Sequence, residues 1–171
     1  MNPKTIFQKI WQSHIVDSLG ASEVLIYIDL HFLHEINTPP AFDGLKEKGV
    51  KVHRPDRTLS TEDHNIPTTS IIDIIRKIGT GRGQGYIIEY KGSAISALSM
   101  EQRMTLGNMT VEAGASAGIL SPDDTTISYL QEALAKRQIE VSQEMIQEWL
   151  SYATDQEAKF DKYVQINAEK I

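Results

Sequence analysis

Asp63 and His64 are neighbours in the polar stretch LSTEDHNIPTT, and Asn65 follows them directly. A carboxylate beside an imidazole raises the basicity of the ring and sets its tautomer, so this pair suits proton transfer. Alternatively, Asp63 and Asn65 accept hydrogen bonds from backbone donors in a turn, as Asp and Asn commonly do. The residues alone leave both interpretations open.

Asn108 and Glu112 form a second candidate pair within GNMTVEAGA. They are four residues apart, so an α-helix would present an amide and a carboxylate from one face. The same spacing is typical of an ordinary solvated helix surface, and spacing alone favours that alternative.

The run HFLHE contains two histidines that a helix would place on one face as candidate metal ligands. However, His31 and His34 directly follow a predicted strand, and a third ligand would have to come from Asp63 or His64, at a distance that the sequence does not fix. Packing and hydrogen-bonding roles are therefore favoured for both histidines, and we predict no metal site.

Composition narrows the class of protein. The chain has 171 residues, of which 40% are apolar and 23% charged, and its net charge is -6. Such a chain is long enough for one ordinary core or two small ones, and its scattered Lys and Arg residues do not favour binding to nucleic acid or membranes. The N-terminus is typical of an amphipathic helix and not of a signal peptide, so a soluble cytoplasmic protein is expected. Cysteine is absent, which excludes disulfides, thiolate nucleophiles and cysteine-held iron–sulfur clusters.

The elements expected to position these residues alternate between helix and strand. Short apolar runs predict strands, the first of them buried in a parallel sheet, and Met100, Met104 and Val111 are candidate core positions of a helix that ends at Gly114 and Gly118. The strands are predicted at 24–28, 50–54 and 86–90, and further helices are predicted from residue 70, over 123–135 and over 142–153. GTGRGQG follows a helix and precedes a strand, so it is interpreted as a connector and not as a phosphate-binding loop. The pattern predicts α/β layers in two sub-lobes, 1–70 and 71–171, that join near residue 70.

Several long blocks of the chain resemble a known family. LIYIDLHFLHEINTPPAFDGL, RPDRTLSTEDHNIPT, KIGTGRGQGYIIEYKGSAISALSMEQRMTLGNMTVEAGASAGILSPDDTTISYL and FDKYVQINAEKI are similar, in order, to the large subunit of 3-isopropylmalate dehydratase, a member of the aconitase superfamily. The resemblance implies an aconitase-like α/β/α fold. It also implies a hydro-lyase of leucine biosynthesis that interconverts 2- and 3-isopropylmalate at a [4Fe–4S] cluster, completed by a small subunit.

Site residues follow from the same resemblance. Asp63 and His64 resemble the dyad that handles the proton on the departing hydroxyl, and Asn65 resembles a residue that supports the substrate loop. Asn108 and Glu112 resemble the family's NM-x-x-E helix, which aims hydrogen bonds at the cluster and its water.

The chain also departs from the family pattern. Blocks that a long segment separates in the family join here at Ser70 and Ile71, and the domain that supplies the three cysteine ligands has no counterpart. We therefore expect an internally deleted and truncated large subunit that binds no cluster and is inactive alone. The alternative is a non-catalytic binding or oligomerisation module that uses surfaces exposed by the deletion. A cluster-free hydro-lyase, with a divalent metal held by His31 and His34, is the least favoured interpretation.

Overall fold

The computed structural model describes residues 2–33, 38–60, 79 and 83–167. The chain divides into two compact units. The small unit comprises residues 14–67, and the large unit comprises residues 1–13 with 68–171. The predicted boundary near residue 70 and the predicted helix after it fall within 61–78, outside the described residues, so both stay predictions.

The described residues form both helices and strands, two pairs of which are parallel, and this confirms the predicted α/β class. Helix α1 (Ile6–His14) belongs to the large unit except for its last residue. In the small unit the elements are β1 (Ile15–Ser18), β2 (Val24–Ile26), β3 (His31–Leu33), α2 (Thr38–Glu47), a 3-10 turn (Pro55–Arg57) and β4 (Thr58–Ser60). In the large unit the further elements are β5 (Ile87–Tyr90), α3 (Ser93–Ser96), α4 (Met100–Asn108), a second 3-10 turn (Met109–Ala113), β6 (Ala117–Leu120), α5 (Asp124–Ala135) and α6 (Gln143–Ser151).

The described residues of the small unit form two pairs of strands. β1 and β2 pair antiparallel, with an irregularity in register between Ile15 and Asp17. β3 and β4 pair parallel, with His31 opposite Thr58. The prediction of a buried parallel strand at 24–28 is therefore wrong, because β2 forms an antiparallel ribbon and Leu25 in its centre is 49% exposed.

A strand predicted over 50–54 is also displaced along the chain. Pro55 opens a 3-10 turn, which Thr58 ends by donating its backbone N–H to the Pro55 carbonyl. Proline supplies the fixed φ that such a turn needs, so the strand begins only after it, at β4. Helix α2 ends two residues before Gly49, which has a positive φ of 62°.

The core of the large unit lies where α4 packs on the parallel pair β5 and β6. Tyr90 and Leu106 are buried at its centre, with partly buried apolar side chains from both strands and the neighbouring helices around them. Helix α4 begins at Ser99, whose hydroxyl accepts from the Gln102 backbone N–H while the Gln102 side chain accepts from the Ser99 backbone. This capping box satisfies donors that the first helical turn leaves unpaired.

Two of the predicted core positions on this helix are wrong. Met104 is 47% exposed and Val111 is 56% exposed, whereas Arg103, Leu106 and Thr110 are buried. The buried face differs from the predicted one because Gly107 lies against Gly118 of β6, so the side of the helix that includes Gly107 packs close to the strand. Gly118 is thus part of a strand and not a helix end.

The N-terminal segment docks on the loop that follows α6. Asp155 accepts the Lys4 backbone N–H at 2.7 Å and returns its own N–H to the Lys4 carbonyl at 3.0 Å. Lys9 donates its ammonium to the Asp155 carboxylate at 2.7 Å and to the carbonyls of Ser151 and Ala153. The positive charge of Lys9 therefore caps the negative end of α6 from a distant part of the chain.

Glu89 links that docked segment to the sheet. Its side chain is only 6% exposed, and it accepts hydroxyl hydrogen bonds from Thr154 at 2.8 Å and Ser121 at 3.3 Å. Thr154 in turn accepts the backbone N–H of Ile6 at 2.7 Å. The buried carboxylate thus holds β5, the start of the chain and the loop after α6 together.

Among the described residues, the helices are all too short or too polar to traverse a lipid bilayer.

Candidate functional site

Asn108 and Glu112 lie on either side of a change in helical geometry. Asn108 is the last residue of α4, and Glu112 belongs to the 3-10 turn that follows. The turn ends at Gly114, which has the left-handed φ of 80° and donates its N–H to the Val111 carbonyl at 2.8 Å. Asn108 and Glu112 therefore do not share one face of a continuous α-helix as predicted, because the helix tightens into a 3-10 turn between them.

Buried contacts fix the other side of this turn. Thr110 and Ala113 are fully buried, three residues apart, which places them on one side of a 3-10 turn. The Thr110 hydroxyl donates to the Leu106 carbonyl at 2.7 Å and lies 3.0 Å from the Tyr90 hydroxyl. Asn108, Val111 and Glu112 are exposed, so the amide and the carboxylate are available to a ligand.

The glycine-rich segment that precedes β5 packs directly against this turn. Gly83 donates its backbone N–H to the Ala113 carbonyl at 3.2 Å. A Cβ at Gly83 would lie 2.7 Å from the same carbonyl oxygen and 2.9 Å from the Ala115 nitrogen, closer than real side chains come. The glycine is needed for close backbone approach, which agrees with the interpretation of this segment as a connector.

Strand β6 contacts the turn through Gly118. A Cβ there would lie 2.2 Å from the Thr110 hydroxyl oxygen and 3.1 Å from the Gly107 Cα. Gly107, Gly118 and the buried Thr110 thus let the helix, the turn and the strand pack closely against one another. The backbone that carries Asn108 and Glu112 is consequently held by packing on the side away from solvent.

Asp63, His64 and Asn65 lie outside the described residues, as does His34. Whether they approach Asn108 and Glu112 therefore stays a prediction. His31 lies in strand β3 and is exposed, so it does not start the helix that would align it with His34. Within the described ranges, no three residues of the types that bind metals come together as a candidate centre.

Sequence reasoning missed a cleft of about 150 Å³ at the carboxyl ends of β5 and β6. Lys91 and Gly92 follow one strand and Ser121 to Asp123 follow the other, and this edge of a parallel sheet is a common place for ligands. Its floor is formed by Arg103, which is 4% exposed and binds the Asp123 carboxylate through two nitrogens at 2.6 and 2.8 Å.

The Arg103 guanidinium has no donor left for an acidic ligand in this cleft. It also donates to the carbonyls of Leu98 and Ser96 and to the Thr126 hydroxyl. Asp123 caps α5 by accepting the Thr126 backbone N–H. The four residues SPDD ahead of a helical pattern are the sequence signal for this cap. They do not indicate that a buried arginine also binds the capping Asp123 carboxylate.

Two groups here have shifted proton affinities. The hydrogen bonds from Arg103 hold the pKa of Asp123 below its ordinary range. Burial raises the pKa of the Tyr90 phenol, and the hydrogen bond with Thr110 opposes that rise. Both shifts stabilise the resting charge states, a carboxylate and a neutral phenol, and neither group is poised for proton transfer near neutral pH.

Comparison with known proteins gives a family match in two segments. The model of the Aconitase family (aconitate hydratase) matches residues 8–74 and 70–171. The 3-isopropylmalate dehydratase large subunit of Mycobacteroides abscessus is 29% identical over 288 residues, a span that takes in 99% of this chain and 60% of that protein. The chain therefore covers about 60% of the length of the relative it matches.

The alignment with this relative contains a long gap. Its span of 288 residues exceeds the 171 residues of this chain, so the relative carries positions with no counterpart here. The two family matches overlap at 70–74, a stretch that includes the junction predicted between Ser70 and Ile71.

Proposed function

The chain belongs to the aconitase family, and on that premise we propose that it is a partial large subunit of 3-isopropylmalate dehydratase that has no independent turnover. The observation that carries the proposal is the combination of a family match along almost the whole chain with the absence of cysteine from its 171 residues. The kinship indicates the substrate class, and the composition indicates the lost chemistry.

The [4Fe–4S] cluster of the family does not fit the residues of this chain. Cysteine thiolates hold such clusters, and the sequence contains none. The described residues also offer no group of histidines and carboxylates that would replace them. No step of a reaction is therefore assigned to the cluster in this chain.

The part of the site that we propose the chain retains is a surface that hydrogen-bonds the hydroxyl groups of a small ligand. The Asn108 amide can donate and accept hydrogen bonds, and the Glu112 carboxylate can accept a hydrogen bond or a proton. Both are exposed on a turn whose other side is buried, so they orient a ligand without a cost in core packing. In the proposed ancestral reaction Asp63 and His64 hold the proton of the departing hydroxyl, and Asn65 supports the substrate.

The experiment is a turnover assay with the purified chain and 3-isopropylmalate, in which the appearance of 2-isopropylmalate is followed by chromatography. We expect no product with the chain alone. The same assay with an added dehydratase small subunit tests the partner that the family implies, and again no product is expected. The complete large subunit of Mycobacteroides abscessus with its small subunit is the positive control. Turnover in either of the first two reactions would overturn the proposal.

A second proposed function is a binding or oligomerisation module built on the same fold. It is favoured by the high exposure of the small unit, in which no described residue between 14 and 60 is buried. Large apolar side chains are exposed there instead, including Phe32 at 64% and Val50 at 54%. A unit with so little buried apolar surface needs further contacts for stability, because short two-stranded sheets are marginal by themselves.

A further inference from the structure

An apolar surface lies on the antiparallel ribbon of the small unit. Three large side chains of the ribbon are about half exposed or more and lie on the same face by the register of the strands; we call them the ribbon surface: Leu19, Leu25 and Tyr27. Within the described residues, β1 and β2 pair only with each other, which leaves one edge of each strand without a backbone partner there. Apolar side chains beside free strand edges are typical of a surface that another polypeptide covers.

Charge along the small unit is divided into two parts. Residues 14–33 contain three carboxylates and no Lys or Arg, whereas residues 38–60 contain five Lys or Arg residues and three carboxylates. Several of these charges are paired internally, such as Arg54 with Asp56 at 2.6 Å and Asp29 with His14 at 3.3 Å.

The remaining charges define two patches of opposite sign. Asp17 and Glu23 flank the ribbon surface, are exposed, and form no ion pair within the described part of the chain. Lys46, Lys48 and Lys51, at the end of α2 and after it, are exposed and likewise form none there. Asp43 and Glu47 of α2 are also exposed and form none there, so these five charges leave a net positive charge of one on this patch. The same unit therefore offers an acidic patch and a basic patch that are not used inside it.

We propose that the ribbon surface binds a second copy of this chain in a two-fold dimer, with Asp17 and Glu23 of each copy facing Lys48 and Lys51 of the other. A two-fold interface uses the same surface on both partners, so each contact occurs twice. A unit that carries both signs of charge is complementary to itself in such an arrangement, and the complementarity selects the partner and speeds encounter. The proposal deepens the second proposed function and does not depend on dehydratase kinship.

The experiment measures the molar mass of the intact chain by size-exclusion chromatography with light scattering across a range of protein concentrations. The wild-type chain is expected to dimerise, and the dimer to weaken as salt is raised, because salt screens exposed charges. Two charge-reversal variants are then compared, K48E/K51E and D17K/E23K. Each is expected to weaken the dimer by at least about tenfold, since like charges would face each other.

An equimolar mixture of the two variants tests the pairing of the patches directly. Every opposed pair in the mixed dimer again has opposite signs, so the mixture is expected to recover the wild-type mass. K136E/K159E changes the net charge equally on exposed positions of the large unit, and is expected to dimerise as the wild type does. Circular dichroism of each variant shows that the fold is retained.

Three results would overturn the proposal. A wild-type chain that stays monomeric at every concentration would also remove the oligomerisation function, leaving the dehydratase proposal to its own assay. A dimer that resists both reversals would place the interface elsewhere and leave oligomerisation intact. Failure of the mixed variants to recover would exclude the two-fold pairing of these patches.

Discussion

The hydroxyl oxygen of Tyr90 lies 3.0 Å from the hydroxyl oxygen of Thr110, and this contact joins the end of β5 to the turn after α4. Thr110 uses its own proton to donate to the Leu106 carbonyl, so the Tyr90 phenol is the donor between the two hydroxyls. Both residues are buried, and the hydrogen bonds satisfy polar groups that would otherwise be costly there.

Thr110→Val should therefore destabilise the large unit. Valine matches the shape but leaves the Tyr90 hydroxyl and the Leu106 carbonyl without this partner, at a cost of about 1 to 3 kcal/mol. Thr105→Val is the matched control, because its hydroxyl bonds the Glu101 carbonyl on an exposed face where water can replace it. Urea unfolding followed by circular dichroism measures both. Equal losses for the two variants would contradict the role of the buried pair.

Gly118→Ala should also destabilise the protein, by about 1 to 3 kcal/mol, as overpacking usually does. The added methyl group would overlap Thr110, whose hydroxyl cannot move without losing its hydrogen bonds. At Gly107 a Cβ would meet only ordinary contacts at 3.7 Å and beyond, so Gly107→Ala is expected to be neutral or stabilising. Thermal unfolding of both variants checks the contrast, and an unaffected Gly118→Ala would show that the strand and turn can separate.

The pair of Arg103 and Asp123 predicts a response to acid. The folded pKa of Asp123 lies below its ordinary value of 3.8, so its contribution to stability is complete above that value and is lost as the pH falls through the folded pKa. Asp123→Asn should be less stable at neutral pH by about 1 to 2 kcal/mol, because Arg103 stays buried with a weaker partner while solvent partly screens the 38% exposed side chain at position 123. Its stability should also depend less on pH in the acid range, and melting temperatures across that range test this.

Asp56→Asn provides the control for that experiment. Hydrogen bonding from Arg54 lowers the pKa of Asp56 to about 2, but both side chains of this pair are exposed to solvent. Solvent and salt screen exposed pairs, so the control should change stability little at any pH. A loss at Asp56 as large as at Asp123 would contradict the importance of burial.

Lys9→Met should release the docked N-terminal segment. The ammonium of Lys9 bonds Asp155 and the last carbonyls of α6, and its loss is expected to cost about 1 to 2 kcal/mol. Lys4→Met removes only an exposed hydrogen bond to Gln12, and its backbone contacts with Asp155 stay. Hydrogen exchange of α1 is expected to rise in the first variant and not in the second. Unchanged exchange in Lys9→Met would mean that backbone contacts alone hold the segment.

The sequence predicted the elements whose signals are local. Strand β5, helices α5 and α6 and the turn at Gly114 all lie close to their predicted positions, since glycine and short apolar runs act within a few residues. Strand β6 was missed because AGIL has few of the side chains typical of strands, and it forms through close packing with α4 that only the fold creates.

The candidate site was predictable only in part. The positions of Asn108 and Glu112 followed from the family resemblance, but the tightening of the helix between them depends on Thr110 and Ala113, whose burial has no local signal. The buried contact of Arg103 with Asp123 joins residues 20 apart, and charged residues are not expected at core positions from composition.

The buried side and the exposed side of the 109–113 turn constrain substitution for different reasons. Thr110, Ala113 and Gly118 are constrained by contact with their neighbours, whereas Asn108 and Glu112 face solvent and support no packing. In descendants of a chain without turnover, substitutions should accumulate at the exposed pair while the buried residues stay the same. In descendants of an active chain both sets would persist, so the pattern of drift at five positions records which history the lineage has had.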